Sequence, residues 1–496
     1  MEPNIFVDLI ELRKTSGEGL AKQIYRQIRR AILEGILPAS SFLPSTRQLA
    51  IQLKVSRSSI NEAFELLAAE GLIELRFKAR AKVNSIDVAP VGRVGLHNDL
   101  ALKNGVSAGA GYVSKRGEQL GRSYRFEPRG MRSSRMVPGM PSVKLFPKQE
   151  WARALRQAGN ELSLHDSGYL TSSGLAYLKE VLSGYLSEYR GVNADAEQII
   201  IVPGTQAALT LAAYLYADLG DTALIEDPGY LGARAAFLNS GLLLKASRAN
   251  DLAHNIRQLA QQECAARLVY VTPSHQFPQG GVLALKDRLA LLEAARASGA
   301  MIIEDDYDSE FLHYGRPIVA LQGLSKNGEV TYIGTTAKSL IPALRLAYMV
   351  VRREDVCRVA HAQRNLGLLA NAHSQLALAH FIEDGAFRRH LRRITRHYSA
   401  TAEILWKMLI ARFPDKLIVE KPSAGVQMCL LFTGEWAVVN DKAIANKLND
   451  VGFGVNPLSI YCYEIEQSGL IVGTADTTLL ECEQFCDALA RACVAN

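Results

Sequence analysis

The sequence predicts two folded parts: a small N-terminal unit of three helices and a hairpin, and a large α/β body with a mainly parallel sheet and a smaller C-terminal lobe. Three observations carry this prediction. Apolar residues recur at helical spacing in three segments before Gly71. From about Pro138 short apolar runs alternate with helical stretches, as strands and crossover helices do. Between the two lie residues 85–136, with eight glycines and little hydrophobic periodicity, which read as a flexible basic linker.

In the head, Leu20, Ile24, Ile28 and Ile32 repeat every four residues while Lys22, Arg26, Arg29 and Arg30 point elsewhere, an amphipathic helix closed by Gly35. Ser45 is positioned to cap a short helix through Leu53, and Ser56 another that runs to about Glu70 and stops at Gly71. A short apolar run, 72–75, then meets the basic segment 76–83 in a hairpin. In the third helix Ile60, Phe64 and Leu67 share the inward face, so Arg57, Ser58 and Asn61 project outward from its first turns. Arg and Asn side chains on a helix N-terminus are suited to base edges in a major groove, with Lys and Arg elsewhere on phosphates.

Seven strands are expected in the body, at 199–202, 222–226, 242–245, 268–272, 301–305, 330–334 and 347–351, with helices such as 205–219 and 286–297 between them. Helices near 371–409 and 441–451 belong to the smaller lobe. The expected organisation is a head over 1–84, a linker over 85–136 and a body over 137–496, its small lobe starting at about 353.

Composition narrows the function. At 48% hydrophobic and 21% charged, the 496 residues have an ordinary globular balance. The longest charge-free stretch, 268–285, contains two prolines and two glycines, so no membrane span is expected, and an early acidic N-terminus argues against a secretory signal. A cytoplasmic location is the expectation. Seven scattered cysteines suit free thiols, and Cys482 and Cys486 lack the companions of a zinc site, so no metal is expected. Residues 1–84 hold 13 Lys and Arg against 9 acids, and 85–136 hold 9 against 4, whereas the remainder holds 34 against 37. A basic end on a slightly acidic body is the asymmetry of a chain whose head meets a polyanion.

Polar residues gather where ligands of open α/β sheets bind, beyond the carboxyl ends of the strands. Gly204-Thr205-Gln206 follows the first strand and opens a helix, a place that favours an anion. The fifth strand ends in Glu304-Asp305-Asp306-Tyr307-Asp308, and the sixth in Gly334-Thr335-Thr336-Ala337-Lys338-Ser339, with Arg345 seven residues beyond Lys338. A lysine amine, a carboxylate, a hydroxylic anion cradle and an arginine at successive strand ends suit pyridoxal 5'-phosphate.

Two resemblances follow. The segments LPSTRQLA (43–50) and VSRSSINEAFELLAAEGLIE (55–74) resemble the winged helix-turn-helix domain of the GntR family of bacterial regulators, although the wing tip reads FKARAKV where the family is glycine-rich. This implies double-stranded operator DNA as partner, with Arg47 and Arg57 as contacts and Ser56, Ser58 and Asn61 around them. PGTQAAL, EDPGYLGARAAF, YVTPSHQFPQGGVL, IIEDDYDSEF and YIGTTAKSLIPALRLAYMV resemble fold-type I PLP-dependent aminotransferases, and specifically the MocR branch of the GntR family. That resemblance implies Lys338 as the Schiff-base lysine, Asp305 as the pyridine-nitrogen partner and Tyr307 as donor to the ring oxygen. It also implies Tyr230 against the ring and Thr205, Gln206, Thr335 and Arg345 around the phosphate. Tyr169, five residues before Gly174, matches a tyrosine that reaches the phosphate from a neighbouring subunit, so a homodimer is expected.

Two departures bear on chemistry. Phe277 stands where aminotransferases carry Asn before Pro, which leaves the ring oxygen to Tyr307 or His275. Ile471, in GLIVGTA, stands where the family's carboxylate-gripping arginine sits, so the effector lacks a carboxylate held in that way, another arginine replaces it, or the cofactor itself is the signal. Arg234, four residues past Tyr230, faces either the pocket or a buried ion pair. The expected function is a PLP-dependent, DNA-binding transcription regulator that senses PLP or a PLP–amine adduct rather than an enzyme, with a transamination half-reaction left open. The alternatives are a working aminotransferase with a DNA-binding arm and a constitutive DNA-binding dimer.

Overall fold

The computed structural model describes residues 10–12, 18–76, 79–85, 113–121, 135–162, 173–262, 264–314 and 318–494. The chain divides into two compact units, Met1–Tyr112 and Val113–Asn496.

In the first unit, α1 (Leu20–Leu33) buries Ile24, Ile28 and Ile32. α2 (Thr46–Gln52) begins at Ser45, whose hydroxyl accepts from the Gln48 amide, and α3 (Arg57–Ala69) begins at Ser56, whose hydroxyl accepts from the Ser59 amide. Gly35 and Gly71 close α1 and α3 with φ of 73° and 72°, a conformation that glycine adopts without a Cβ penalty. β1 (Ile73–Glu74) pairs antiparallel with β2 (Lys82–Val83), Ile73 opposite Val83. Phe77 and Lys78, in the expected basic tip, lie outside the described residues. Ile24, Ile28, Leu49, Ile60, Phe64, Leu67 and Val83 form one core.

The second unit opens with α4 (Lys115–Leu120), inside the stretch expected to be a linker. Its Gln119 side chain donates to the Leu238 carbonyl at 2.9 Å. The remaining elements in order are α5 (Lys148–Glu161), α6 (Ala176–Arg190), β3 (Ile199–Val202), α7 (Thr205–Tyr216), β4 (Thr222–Glu226), α8 (Leu231–Asn239), β5 (Leu243–Ser247), α9 (Leu252–Gln261), β6 (Ala266–Val271), α10 (Leu285–Ser298), β7 (Met301–Asp306), α11 (Leu321–Leu324), β8 (Val330–Thr335) and β9 (Ala347–Val350). The seven strands form one sheet in the order β3-β9-β8-β7-β6-β4-β5. Only β9 runs against its neighbours, β3 and β8. Both faces are covered, which is why the strands read as near-continuous apolar runs. Ile200, Val202, Ile225, Tyr270, Ile303, Ile333 and Met349 pack with α7 and α8 on one face. On the other, Ile199, Ile201, Tyr332 and Val350 pack with α5 and α6.

Beyond the sheet come α12 (Val356–Asn365), α13 (Ala372–Glu383), α14 (Ala386–Arg412), β10 (Leu417–Ile418), β11 (Gln427–Phe432), α15 (Asp441–Asp450), β12 (Asn456–Pro457), β13 (Gly469–Gly473) and α16 (Leu479–Val494). β10 to β13 make a second, antiparallel sheet in the order β10-β11-β13-β12. Its core holds Leu405, Leu409, Leu430, Val472, Phe485, Cys486 and Leu489. α13, inside the stretch expected as the small lobe, instead packs on the large sheet's layer, with Phe381 edge-on to Trp151 at 5.7 Å between ring centroids. Its apolar side chains pack against α5 and α6, and the small lobe's core begins in the C-terminal half of α14 with Leu405 and Leu409.

Candidate functional site

Strand alternation sorts the acidic run at the end of β7 into separate tasks. Glu304 accepts from the Leu321 and Gln322 amides at 2.7 and 2.8 Å, holding the start of α11. Asp306 makes a buried ion pair with Arg190 at 2.7 Å and accepts from the Tyr332 hydroxyl at 2.7 Å. Asp308 faces His275 Nδ1 at 2.9 Å. Burial opposes charge on His275, but Asp308 outweighs it and raises the imidazole pKa. Asp305 alone points to the α7–α8 side. There it accepts from the Tyr270 hydroxyl at 2.8 Å through Oδ2, while its Oδ1 is buried without a partner. Burial pushes its pKa up to about 7, with Asp306 adding to the rise.

Asp305 lies on the wall of a cavity of about 550 Å³ that also receives Thr205, Gln206, Tyr230, Tyr307, Thr335, Lys338 and Arg345. Each comes from a strand end or the turn after it. Gly204 precedes α7 with φ 144°, and a Cβ on it would lie 3.3 Å from Arg345 Nη2, so the guanidinium lies against the open N-terminus of α7. The first helical amides have no carbonyl within the helix to bond, and with Arg345 beside them the arrangement suits an anion. The Thr335 hydroxyl accepts from the Ala337 amide at 3.2 Å, shaping the turn into Lys338. Lys338 Nζ donates to the Gly139 carbonyl. Gln206 donates to the Gly232 carbonyl at 3.1 Å. Tyr230 meets Phe277 edge-on at 5.6 Å, and Phe277 meets Tyr307 the same way at 5.8 Å.

The Tyr307 hydroxyl lies 3.2 Å from His275 Nδ1, and burial raises its pKa well above the ordinary value, so it is a neutral phenol. Of the two candidates for a ring oxygen, Tyr307 lines the cavity and His275 stands behind it on Asp308. Arg234 does not line the cavity, and its guanidinium donates to the Tyr461 carbonyl at 2.9 Å. Ile471 is fully buried with Leu231, Leu458 and Tyr461. Tyr169 lies outside the described residues.

Tyr270, Gln427, Asn456, Tyr461 and the Gly139 carbonyl belong to the site as well, and nothing in the sequence singled them out. Tyr270 reaches Asp305 because β6 and β7 pair with Tyr270 opposite Ile303, a register that composition does not show. A second cavity, of about 750 Å³, lies between α6 and α14 and contains none of the expected site residues.

In the head, Arg47, Ser56, Arg57, Ser58 and Asn61 are all exposed. Ser56 Oγ lies 2.8 Å from Ser58 Oγ. Arg57 is the first residue of α3 and Asn61 lies one turn on. Among the described residues no helix is long and apolar enough to cross a membrane, and no group of three or more His, Cys, Asp or Glu could hold a metal ion.

Two family models match the chain: aminotransferase class I and II over residues 142–489, and bacterial regulatory proteins, gntR family, over residues 20–83. The probable rhizopine catabolism regulatory protein MocR of Rhizobium meliloti is 33% identical over 468 residues, 94% of this chain and 92% of that protein. The HTH-type pyridoxine biosynthesis transcriptional regulator PdxR of Corynebacterium glutamicum is 29% identical over 401 residues, 78% of each chain. Among solved structures, the α-aminoadipate aminotransferase LysN of Thermus thermophilus, complexed with N-(5'-phosphopyridoxyl)-L-leucine, superposes with a TM-score of 0.69 at 22% identity, covering 77% of this chain and 97% of that one.

Proposed function

The chain belongs to the MocR branch of the gntR-family regulators, a transcriptional regulator with an aminotransferase-like body, and from that premise we propose that the body binds pyridoxal 5'-phosphate and uses it to sense an amine. The observation that carries the proposal is Asp305 Oδ1, buried without a partner on the wall of the cavity that holds Lys338. An unpartnered buried carboxylate oxygen is costly, and a protonated pyridine nitrogen is the partner that removes the cost. The rest of the donor set suits the same group: the α7 N-terminus with Arg345 for a phosphate, and Tyr307 for a ring oxygen. Bound there, the cofactor supplies an aldehyde that condenses with primary amines and an electron-withdrawing ring.

The chain's own residues do the rest. Tyr270 orients the Asp305 carboxyl, and a cation beside it draws its pKa back down, since the charged form is then compensated. Tyr230 and Phe277 wall the cavity against water. Arg47, Ser56, Arg57, Ser58 and Asn61 contact operator DNA, and Tyr169 completes the phosphate site of a neighbouring subunit in a homodimer. Regulation requires that the effector prefer one domain arrangement, typically by about 1–3 kcal/mol.

The test is borohydride reduction of cofactor-saturated protein followed by mass spectrometry. The mass of the cofactor should appear on Lys338 and nowhere in Lys338→Ala, and the variant's operator affinity should no longer respond to cofactor and amine. An unmodified Lys338 overturns the proposal. A working aminotransferase is favoured by the same Lys338 and Asp305 but opposed by Ile471, and sustained turnover on an amino-acid and keto-acid panel would decide for it.

A further inference from the structure

We propose that the effector recognised in this cavity is a primary amine without a carboxylate, whose remaining polar groups are uncharged, such as an amino alcohol. The inference rests on the cofactor assignment above and concerns the space left beside it. The cavity wall carries two cations among the described residues, Lys338 and Arg345. Arg345 lies against Gly204 at the α7 N-terminus, the phosphate end, and Lys338 is the residue at the aldehyde. No cation among the described lining residues is left for an α-carboxylate.

The place where a clamp would stand is built to exclude one. Ile471 is fully buried on β13 and packs with Leu231, Leu458, Tyr461 and the ring of Phe277. Leu231, Phe277 and Tyr461 also face the cavity, and Asn456 pairs opposite Ile471, so the described wall in front of Ile471 is uncharged. The nearby Arg234 is held on the Tyr461 and Cys462 carbonyls at 2.9 and 3.3 Å, and it is not a lining residue. A carboxylate brought here loses its hydration and gains no charge-assisted bond from the described lining residues.

Neutral hydrogen-bonding groups are present instead. Gln427 on β11 lines the cavity, and its Nε2 is buried without a partner, a donor that a hydroxyl or ether oxygen of a ligand would satisfy. Asn456 and the Tyr461 hydroxyl, 2.8 Å apart, add an uncharged polar pair on the same wall. An amide N–H discriminates in favour of a hydroxyl that fills its valence, because leaving it bare is the costly alternative.

The experiment titrates the full-length, cofactor-loaded protein by calorimetry with matched probes that differ in one carboxylate: tyramine against L-tyrosine, and 4-aminobutan-1-ol against 4-aminobutanoate. Each amine should bind at least roughly tenfold more tightly than its acid. Ile471→Arg should narrow or reverse that preference. Because Ile471 is buried and this variant is at risk of misfolding, Gln427→Leu provides the second arm: it removes the unpartnered donor together with the amide oxygen and should weaken 4-aminobutan-1-ol by roughly tenfold, with the cofactor affinity of the variant titrated in parallel to separate the two effects. Equal or tighter binding of the acids by the unaltered protein overturns the proposal. So does silence of all four probes while borohydride still fixes cofactor on Lys338. Failure to fix the cofactor there overturns the cofactor assignment and this proposal with it.

Discussion

The Tyr270 hydroxyl donates to Asp305 Oδ2 at 2.8 Å and leaves Oδ1 of the same carboxylate bare inside the cavity wall. One oxygen is thus oriented and the other left without a partner. Tyr270→Phe removes the orienting bond, which holds the Asp305 pKa down, so the carboxyl becomes easier to protonate and a poorer partner for a pyridinium. Cofactor affinity should fall by roughly tenfold, read by fluorescence titration, with the fold retained. Unchanged affinity would detach Tyr270 from the site.

Cofactor-free protein should lose stability as pH rises from about 4 to about 8. Burial pushes Asp305 and Glu304 up to about 7 and Glu226 up to about 8, above the values these groups have in the unfolded chain. The folded state therefore holds protons that the unfolded state has released, and stability is greatest below the unfolded pKa and declines up to the folded one. Asp305→Asn should raise the urea midpoint at pH 8 and leave it nearly unchanged at pH 4. A pH-independent difference between variant and parent would contradict this.

Gly204→Ala should weaken the anion cradle. At φ 144° a side chain is strained, and the new Cβ would lie 3.3 Å from Arg345 Nη2. The strain is about 1–3 kcal/mol. Pyridoxal 5'-phosphate should lose affinity in this variant while pyridoxal, lacking the phosphate, should not. Equal losses for both ligands would remove the cradle from the phosphate end.

On the head, Arg57→Ala should cost about 1–3 kcal/mol on specific operator DNA and much less on random DNA, as measured by fluorescence anisotropy across a salt series. Ser56→Ala acts differently. It deletes the cap that accepts from the Ser59 amide and should destabilise α3 by about 1 kcal/mol in denaturant. A flat salt dependence of binding would count against the polyanion role of the head.

Arg190→Met strands the buried Asp306 that it pairs with at 2.7 Å, and should destabilise the body by about 3–5 kcal/mol in urea. Adding Asp306→Asn should recover part of that loss. No recovery would mean that Arg190 acts through its bonds to Ser274 and the Ile318 carbonyl alone.

Much of the site was legible one strand end at a time. The turn after β3, the acidic run on β7 and the turn into Lys338 are local patterns, and eight of the nine residues expected around a cofactor line one cavity, with Tyr169 outside the described residues. The acidic run shows the limit of that legibility. Composition marks five positions as a cluster, but which carboxylate meets Arg190, which meets His275 and which meets the cavity depends on the two faces of β7 and on what packs there.

Local periodicity, caps and turn residues determined the three helices and hairpin of the head and the seven strands of the large sheet, because those signals act over a few residues and need no partner; α4 and the second, antiparallel sheet were not legible in that way. The pairing of β6 with β7, the docking of α13 on α5 and the apolar setting of Ile471 join residues tens to hundreds of positions apart. Those contacts are selected by register and by how side-chain volumes fill a shared core, so the bare Asp305 oxygen and the burial of Ile471 became visible only in three dimensions.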